Sequence, residues 1–237
     1  MKVGIMQPYF MPYIGYWQLI DAVDTYVIYD DVNFIKGGWI NRNRILLDGE
    51  VRYLNVPLKG ASSFKKINDI SVNDDKRIVK KSLRMIESAY RKAPFFENIY
   101  PMIESILLYE ETNLAKYLGK SIERICGFMG IKSKIVYSSA LNKNANLRGE
   151  KKVLEICHLL GATDYYNAIG GENMYSYTNF KSNGIRLGFL KTNNISYRQF
   201  GDMFKNNLSI IDVLMFNSKL ELPKLIQNYC LIGENDK

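Results

Sequence analysis

The sequence predicts an α/β fold on a mostly parallel sheet, carrying a β-hairpin and a helical insertion at about residues 74–129. The chain, residues 1–237, reads as one domain, since no repeat or linker interrupts it. Three observations predict this. The apolar segment Val3-Gly4-Ile5-Met6 is followed by a loop, a short helical stretch and a second apolar run, Tyr26-Val27-Ile28-Tyr29, which is the opening of a βαβ unit. Strand-like runs at 134–137, 164–168 and 185–190 then alternate with helix-like periodicity. The composition, 47% hydrophobic over 237 residues, suffices for a sizeable core.

Each element has a local reason. Pro8 and Pro12 forbid regular helix or strand after Met6, so Gln7 to Pro12 is a shaped loop. Gly15 lets the backbone turn tightly or approach a bound group, and residues 16–20 can start a helix. Asp48-Gly49 between residues 45–47 and 51–57 signals a hairpin with a type I′ turn. Val79, Leu83, Ile86 and Tyr90 fall at helical spacing within 74–92, with Asn73 or Asp74 as cap and Pro94 as stop. Further helices are expected over 97–110 and over 113–129, the latter closed by Gly130. A third precedes Gly161. Residues 195–200 read as a short strand, and Ser209 with Asp212 as a capping box for a helix through Phe216.

In open α/β sheets ligands bind at the carboxyl ends of the strands. That places the Gln7 loop, the pair Asp30-Asp31 and the glycine turn Gly170-Gly171 at the edge where a site is expected. A glutamine there has four hydrogen-bonding positions to satisfy, and a polar ligand can satisfy them. The segment from Lys36 through Gly37-Gly38, Trp39, Asn41, Arg42 and Asn43 makes a cradle for an anion or carbonyl. Aromatics in such loops also serve simply as lids over a core. The 17 tyrosines suit walls around polar, ring-shaped ligands such as sugars and nucleosides.

Several chemistries are excluded. His158 is the only histidine and sits among helix residues, so Ser-His-Asp and Cys-His catalysis lack a base. Three scattered cysteines in apolar surroundings read as reduced, buried thiols of a cytoplasmic protein, and no metal site is predicted from histidine and cysteine. No Walker A or G-x-G-x-x-G pattern is present. The net charge of +8 favours anionic partners, but its lysine and arginine pairs form no arm, and no nucleic-acid-binding signature accompanies them. No apolar run approaches the roughly 18 residues of a membrane span, so no membrane insertion is expected. What remains is carboxylate, lysine, tyrosine and amide chemistry. Asp30 or Asp31 could hold Mg²⁺ through a nucleotide's phosphates, although neighbours on an extended chain point apart, so one at most is expected to face the site.

Gln7-Pro-Tyr-Phe-Met-Pro-Tyr-Ile-Gly-Tyr-Trp, Tyr29-Asp-Asp-Val-Asn-Phe, Gly38-Trp-Ile-Asn-Arg-Asn, Ala89-Tyr-Arg-Lys-Ala-Pro-Phe-Phe and Leu208-Ser-Ile-Ile-Asp-Val-Leu, in this order, resemble the WbqC-like protein family. The resemblance implies a role in bacterial surface polysaccharide or O-antigen biosynthesis, with transfer of glycine or another amino acid to an amino sugar suggested. Pro12-Tyr13-Ile14-Gly15-Tyr16 is also similar to the H-x-G-H segment of nucleotidylyltransferases and pantothenate-synthetase-like ligases, with tyrosines in place of both histidines. That likeness implies a core of their type and leaves ATP and Mg²⁺ as candidate cofactors.

The resulting expectation is a transferase that acylates a nucleotide-linked amino sugar with an amino-acid donor. Asp30, Asp31 and Tyr16 are its expected catalytic groups. Gln7, Tyr13, Gly15, Lys36, Trp39, Asn41, Arg42 and Asn43 are its expected binding groups. A non-catalytic protein that binds a nucleotide sugar and assists a neighbouring enzyme is the alternative.

Overall fold

The computed structural model describes residues 1–201 and 203–234. Ten strands occur among them: β1 (Lys2–Met6), β2 (Thr25–Ile28), β3 (Arg42–Leu47), β4 (Glu50–Asn55), β5 (Leu58–Lys59), β6 (Ser71–Val72), β7 (Lys134–Tyr137), β8 (Asp164–Ala168), β9 (Arg186–Thr192) and β10 (Tyr229–Ile232). Six of them form the central sheet in the order β10-β9-β8-β1-β2-β7, every pair parallel except β10 with β9. The chain therefore starts in the middle of the sheet, builds outward through β2 and β7, then returns to build the other side. A crevice at a topological switch point, between the carboxyl ends of β1 and β8, follows from that order.

Helices cover both faces because successive strand residues point to opposite sides. Val3, Ile5 and Val27 pack with Val153, Ile156 and Cys157 of α5 (Gly149–Leu159) and Phe180 of α6 (Tyr177–Ser182). Tyr26 and Ile28 face the larger cluster, which takes in α1 (Ile14–Asp21), α2 (Lys76–Tyr90), α3 (Phe96–Leu107) and α4 (Leu114–Met129). Residues 76–129 thus hold three helices, of which α2 packs on β3 and α3 lies between α2 and α4. Asp75 caps α2 by accepting from the Arg77 amide, in place of the expected Asn73 or Asp74. Asn113 caps α4, and Gly130 ends it at a φ of 77°.

The hairpin is β3–β4, with Asp48 and Gly49 at φ 52° and 77° as a type I′ turn requires. Two short helices, α7 (Ile210–Phe216) and α8 (Leu222–Ile226), follow.

Three expectations need correction. Residues 195–200 form no strand; Tyr197 and Gln199 spend their polar groups on Asp212, and the sixth strand of the sheet is β10. Ser209 does cap α7, but Asp212 does not reach back to its amide, which donates to the Arg44 carbonyl instead. Cys126 and Cys157 are buried, and burial pushes both thiols up to about 12, whereas Cys230 is exposed on β10.

His158 sits exposed on α5 with Nε2 3.1 Å from Asn183 Oδ1. Glutamine can make the same contact from a solvated position, so His158→Gln should change stability by less than about 0.5 kcal/mol. Urea unfolding of the purified variant checks this; a loss several times larger would mean that the imidazole packs more tightly than its exposure indicates.

Candidate functional site

The carboxyl edge of the sheet carries three groups of side chains. The first lies where the Gln7 loop meets β3. Asn43, 4% exposed, donates its amide to the carbonyls of Phe10 (3.1 Å) and Met11 (3.0 Å). Ser209 adds a hydroxyl to Met11 O at 2.7 Å. These bonds hold Met11 at φ 42°, a conformation that few side chains adopt unaided.

Next to that buckle, Tyr9, Pro12, Tyr13, Trp39, Arg44 and Asn207 line a cleft of about 330 Å³. The Arg44 guanidinium lies 5.3 Å from the Trp39 ring centre and donates from Nη2 to Asn207 O at 2.9 Å. Its Nε is buried with no hydrogen-bond partner among the described residues. A buried N–H on a cation without an acceptor is costly, and the Arg44 side chain lines the cleft, where its charge favours an anionic or carbonyl oxygen. Gly15 shapes this wall: a Cβ there would lie 2.5 Å from the Tyr13 ring.

The second group surrounds Asp31. Lys143 Nζ and Lys152 Nζ each lie 2.9 Å from its carboxylate, and both lysine side chains are only 5% exposed. Ser138 Oγ donates at 2.7 Å, and Lys152 also donates to Asp31 O while lying over the Tyr29 ring. Burial alone would raise this carboxyl; the bonds from Lys143, Lys152 and Ser138 overcome that and hold it at about 2. The cluster ties the end of β2 to the start of α5.

The third group is a wider cleft of about 570 Å³ between α4 and the ends of β2 and β7. Asp30 lines it, 2% exposed, accepting from the Ser139 amide at 2.9 Å and the Ser139 hydroxyl at 2.5 Å. Both aspartates engage the Ser138–Ser139 turn, because the chain has already left the strand when it reaches them. Their surroundings differ: Asp30 faces the cleft, and Asp31 is saturated by two ammonium groups. The pair does not fit a shared Mg²⁺ site, since a cation at Asp31 would sit against both lysines.

The remaining residues singled out from sequence are placed as follows. Tyr16 is 2% exposed and donates to Gln7 O at 3.0 Å, and burial raises its phenol well beyond the ordinary tyrosine range. It supports the loop, with its hydroxyl proton directed at the Gln7 carbonyl. Gln7 is half-buried just after β1, with no hydrogen-bond partner for its side chain among the described residues. Asn41 donates to Val56 O at 3.0 Å within the hairpin. Arg42 turns onto the carbonyls of Gly37 and Gly38 and stacks 4.6 Å from the Tyr53 ring centre, so it braces the glycine turn. Lys36 is exposed. Tyr13, Trp39 and Asn43 therefore converge on one cleft, whereas Asp30 lines another and Arg42 neither. Sequence reasoning missed Arg44, Asn207, Lys143 and Lys152. Arg44 alone had a signal, its position two residues from Arg42 on the same face of β3.

The WbqC-like protein family matches residues 7–223, which takes in all three groups. The chain belongs to that family. Another protein similar to this WbqC-like chain is "Uncharacterized protein Rv1507c" of Mycobacterium tuberculosis, 30% identical over 239 residues, covering 97% of this chain and 98% of that protein. No solved structure matches the chain. The six-stranded doubly wound sheet is observed, while a core of the nucleotidylyltransferase type has no structural neighbour behind it. No helix among the described residues is long and apolar enough to cross a membrane.

Proposed function

We propose that this WbqC-like protein is a transferase that acylates a nucleotide-linked amino sugar with an amino acid of the glycine type, in the building of bacterial surface polysaccharide. The observation that carries the reading is the cleft in which Tyr9, Tyr13 and Trp39 stand beside the Arg44 side chain. Aromatic walls suit a sugar or base ring, and an arginine guanidinium suits a phosphate oxygen.

In this scheme the amine nitrogen of the sugar attacks the carbonyl carbon of an activated aminoacyl donor. A C–N bond forms, the bond to the donor's leaving group breaks, and the amine proton passes to a carboxylate. Asp30 is the carboxylate assigned that step, because Asp31 is held by two lysines; since Asp30 lines the wider cleft, the scheme requires the amino group to reach there while the diphosphate stays beside Arg44.

Hydrogen bonds to charged groups are worth roughly 1.5–3 kcal/mol, so Arg44→Ala should weaken binding of a uridine or thymidine diphosphate sugar by about 10- to 150-fold. Titration calorimetry measures this. Unchanged affinity in Arg44→Ala, with a large loss in Arg42→Ala, would move the phosphate to the Gly37–Gly38 turn. Asp30→Asn should keep binding and lose the acylated product in mass spectrometry. Tight binding by the unaltered protein with no product from any aminoacyl donor would leave the accessory, non-catalytic role.

A further inference from the structure

Tyr13 and Asn207 line two clefts at once: the aromatic cleft, and a smaller pocket of about 150 Å³ next to it. The smaller pocket lies at the carboxyl end of β9, where Thr192 is followed by Asn193 and Asn194, and Asn206 and Asn207 complete its polar lining. Ile14, Leu208 and Val213 supply apolar surface. No charged side chain lines it among the described residues. Its volume is below the roughly 300–1,000 Å³ of a complete ligand site and suits one ring of a larger ligand.

The rim of this pocket is fixed by hydrogen bonds. Gln18, fully buried on α1, accepts from Thr192 Oγ1 at 2.7 Å and donates to Leu225 O and Asn228 O. Asn228 also accepts from the Asn193 backbone amide at 3.1 Å and donates from Nδ2 to Asn194 O at 3.3 Å. Asn207 is held at φ 55°, with its carbonyl accepting from Arg44 Nη2. These bonds leave the exposed side-chain amides of Asn194, Asn206 and Asn207 without a hydrogen-bond partner among the described residues. Each amide offers N–H donors and a carbonyl acceptor side by side. Tyr13 and Phe204 add ring surface, the latter edge-on to Tyr197 at 5.1 Å. Neutral donor and acceptor pairs beside aromatic rings match a nucleobase, whose edge carries N–H and C=O groups and whose face stacks.

The order of groups along the sheet edge agrees with this. The small pocket follows β9, the aromatic cleft is built on the loop after β1, and Asp30 follows β2, with β8 between β9 and β1. With the diphosphate beside Arg44 and the amino sugar reaching Asp30, the remaining end of a nucleotide sugar falls on the β9 side. We infer that the pocket is the base subsite of that site and takes a single-ring base of the uracil or thymine type. The N3–H of the base and a flanking carbonyl pair with the side-chain amides of Asn194 and Asn207, and its ring lies against Tyr13. The small volume favours one ring over two fused rings, so the pocket selects pyrimidine over purine nucleotides. The placing of the phosphate and sugar ends rests on the transferase reading above.

The test is titration calorimetry on the full chain with uridine, uridine diphosphate, uridine diphosphate glucose, adenosine diphosphate and inorganic diphosphate, repeated with Asn194→Ala and Asn207→Gly. Glycine keeps the positive φ at residue 207 and the carbonyl that accepts from Arg44, and removes only the side-chain amide. Uridine diphosphate should bind about tenfold or more tighter than adenosine diphosphate or inorganic diphosphate. Each asparagine change should weaken it by about two- to tenfold, the size of a neutral hydrogen bond, and leave inorganic diphosphate unaffected. Equal binding of the uridine and adenosine diphosphates would overturn the proposal, as would a preference untouched by both variants. A loss confined to uridine diphosphate glucose, with uridine diphosphate unaffected, would give the pocket to the sugar and overturn it too. Diphosphate binding lost in Arg44→Ala without any preference for uridine would sink the base subsite and spare the aromatic cleft. Uridine binding lost in Asn207→Gly, with diphosphates indifferent to Arg44→Ala, would keep the base subsite and sink the phosphate position. No binding of uridine or of any nucleotide would overturn both.

Discussion

Asp212→Ala is expected to destabilise the protein by about 4 kcal/mol, which urea unfolding at neutral pH would show as a displaced midpoint. Asp212 is fully buried on α7 and accepts from Tyr197 Oη at 2.7 Å, Gln199 Nε2 at 2.6 Å and Tyr90 Oη at 3.1 Å. Alanine leaves these donors short of an acceptor, and each unsatisfied buried group costs about 1–3 kcal/mol. Gln199 retains Lys205 O, which keeps the sum below the full total. The loss should reach the aromatic cleft as well, because Ser209, the cap of the same helix, holds Met11 O and passes its own amide to Arg44 O.

The pH dependence separates this from a simple packing defect. Burial raises the Asp212 carboxyl, and the three donors pull it back only in part. A carboxyl that titrates higher in the folded than in the unfolded state binds more protons when folded, so its contribution to stability falls as pH rises above the ordinary carboxylate range. Asp212→Asn, uncharged throughout, should flatten that segment of the profile. A slope that survives the asparagine change would assign it to another group.

What the sequence disclosed and what it hid divide along the range of the contacts. The prolines and Gly15 of the first loop, the Asp48-Gly49 turn and the Asn113 and Gly130 helix ends act on their immediate neighbours, so their consequences were readable residue by residue. The same holds for the parallel sheet, whose strands are short apolar runs separated by helical periods. Asp212 looked like a local cap because its partners include Tyr90, 122 positions away. Residues 195–200 looked like a strand for the related reason that Ile195, Tyr197 and Gln199 alternate, although their partners lie on a helix and not on a neighbouring strand. At the site, the Trp39 loop was recognisable, yet the choice between Arg42 and Arg44 was not. Both lie on one face of β3, and only the approach of Asn207 from the far end of the chain assigns Arg44 to the cleft.

Asp31→Ala should produce a loss of similar size, about 3–5 kcal/mol, by a different route. Removing one partner of a buried ion pair leaves the others as uncompensated charges, and here two lysines, Lys143 and Lys152, lose the same carboxylate. Lys152 has little escape: it is 4% exposed, and its remaining contacts are Asp31 O and the Tyr29 ring. Adding Lys152→Met to Asp31→Ala should therefore recover part of the loss, because the second change removes a stranded charge and keeps most of the buried chain. The acid limb gives an independent reading. Asp31 is held at about 2, below its ordinary 3.8, so its contribution is fully present above the ordinary value and is lost as pH falls through the interval down to about 2. That interval should shrink in Asp31→Asn. Strictly additive effects of Asp31→Ala and Lys152→Met, with an unchanged acid limb in Asp31→Asn, would mean that the three side chains are neighbours without being an energetic unit.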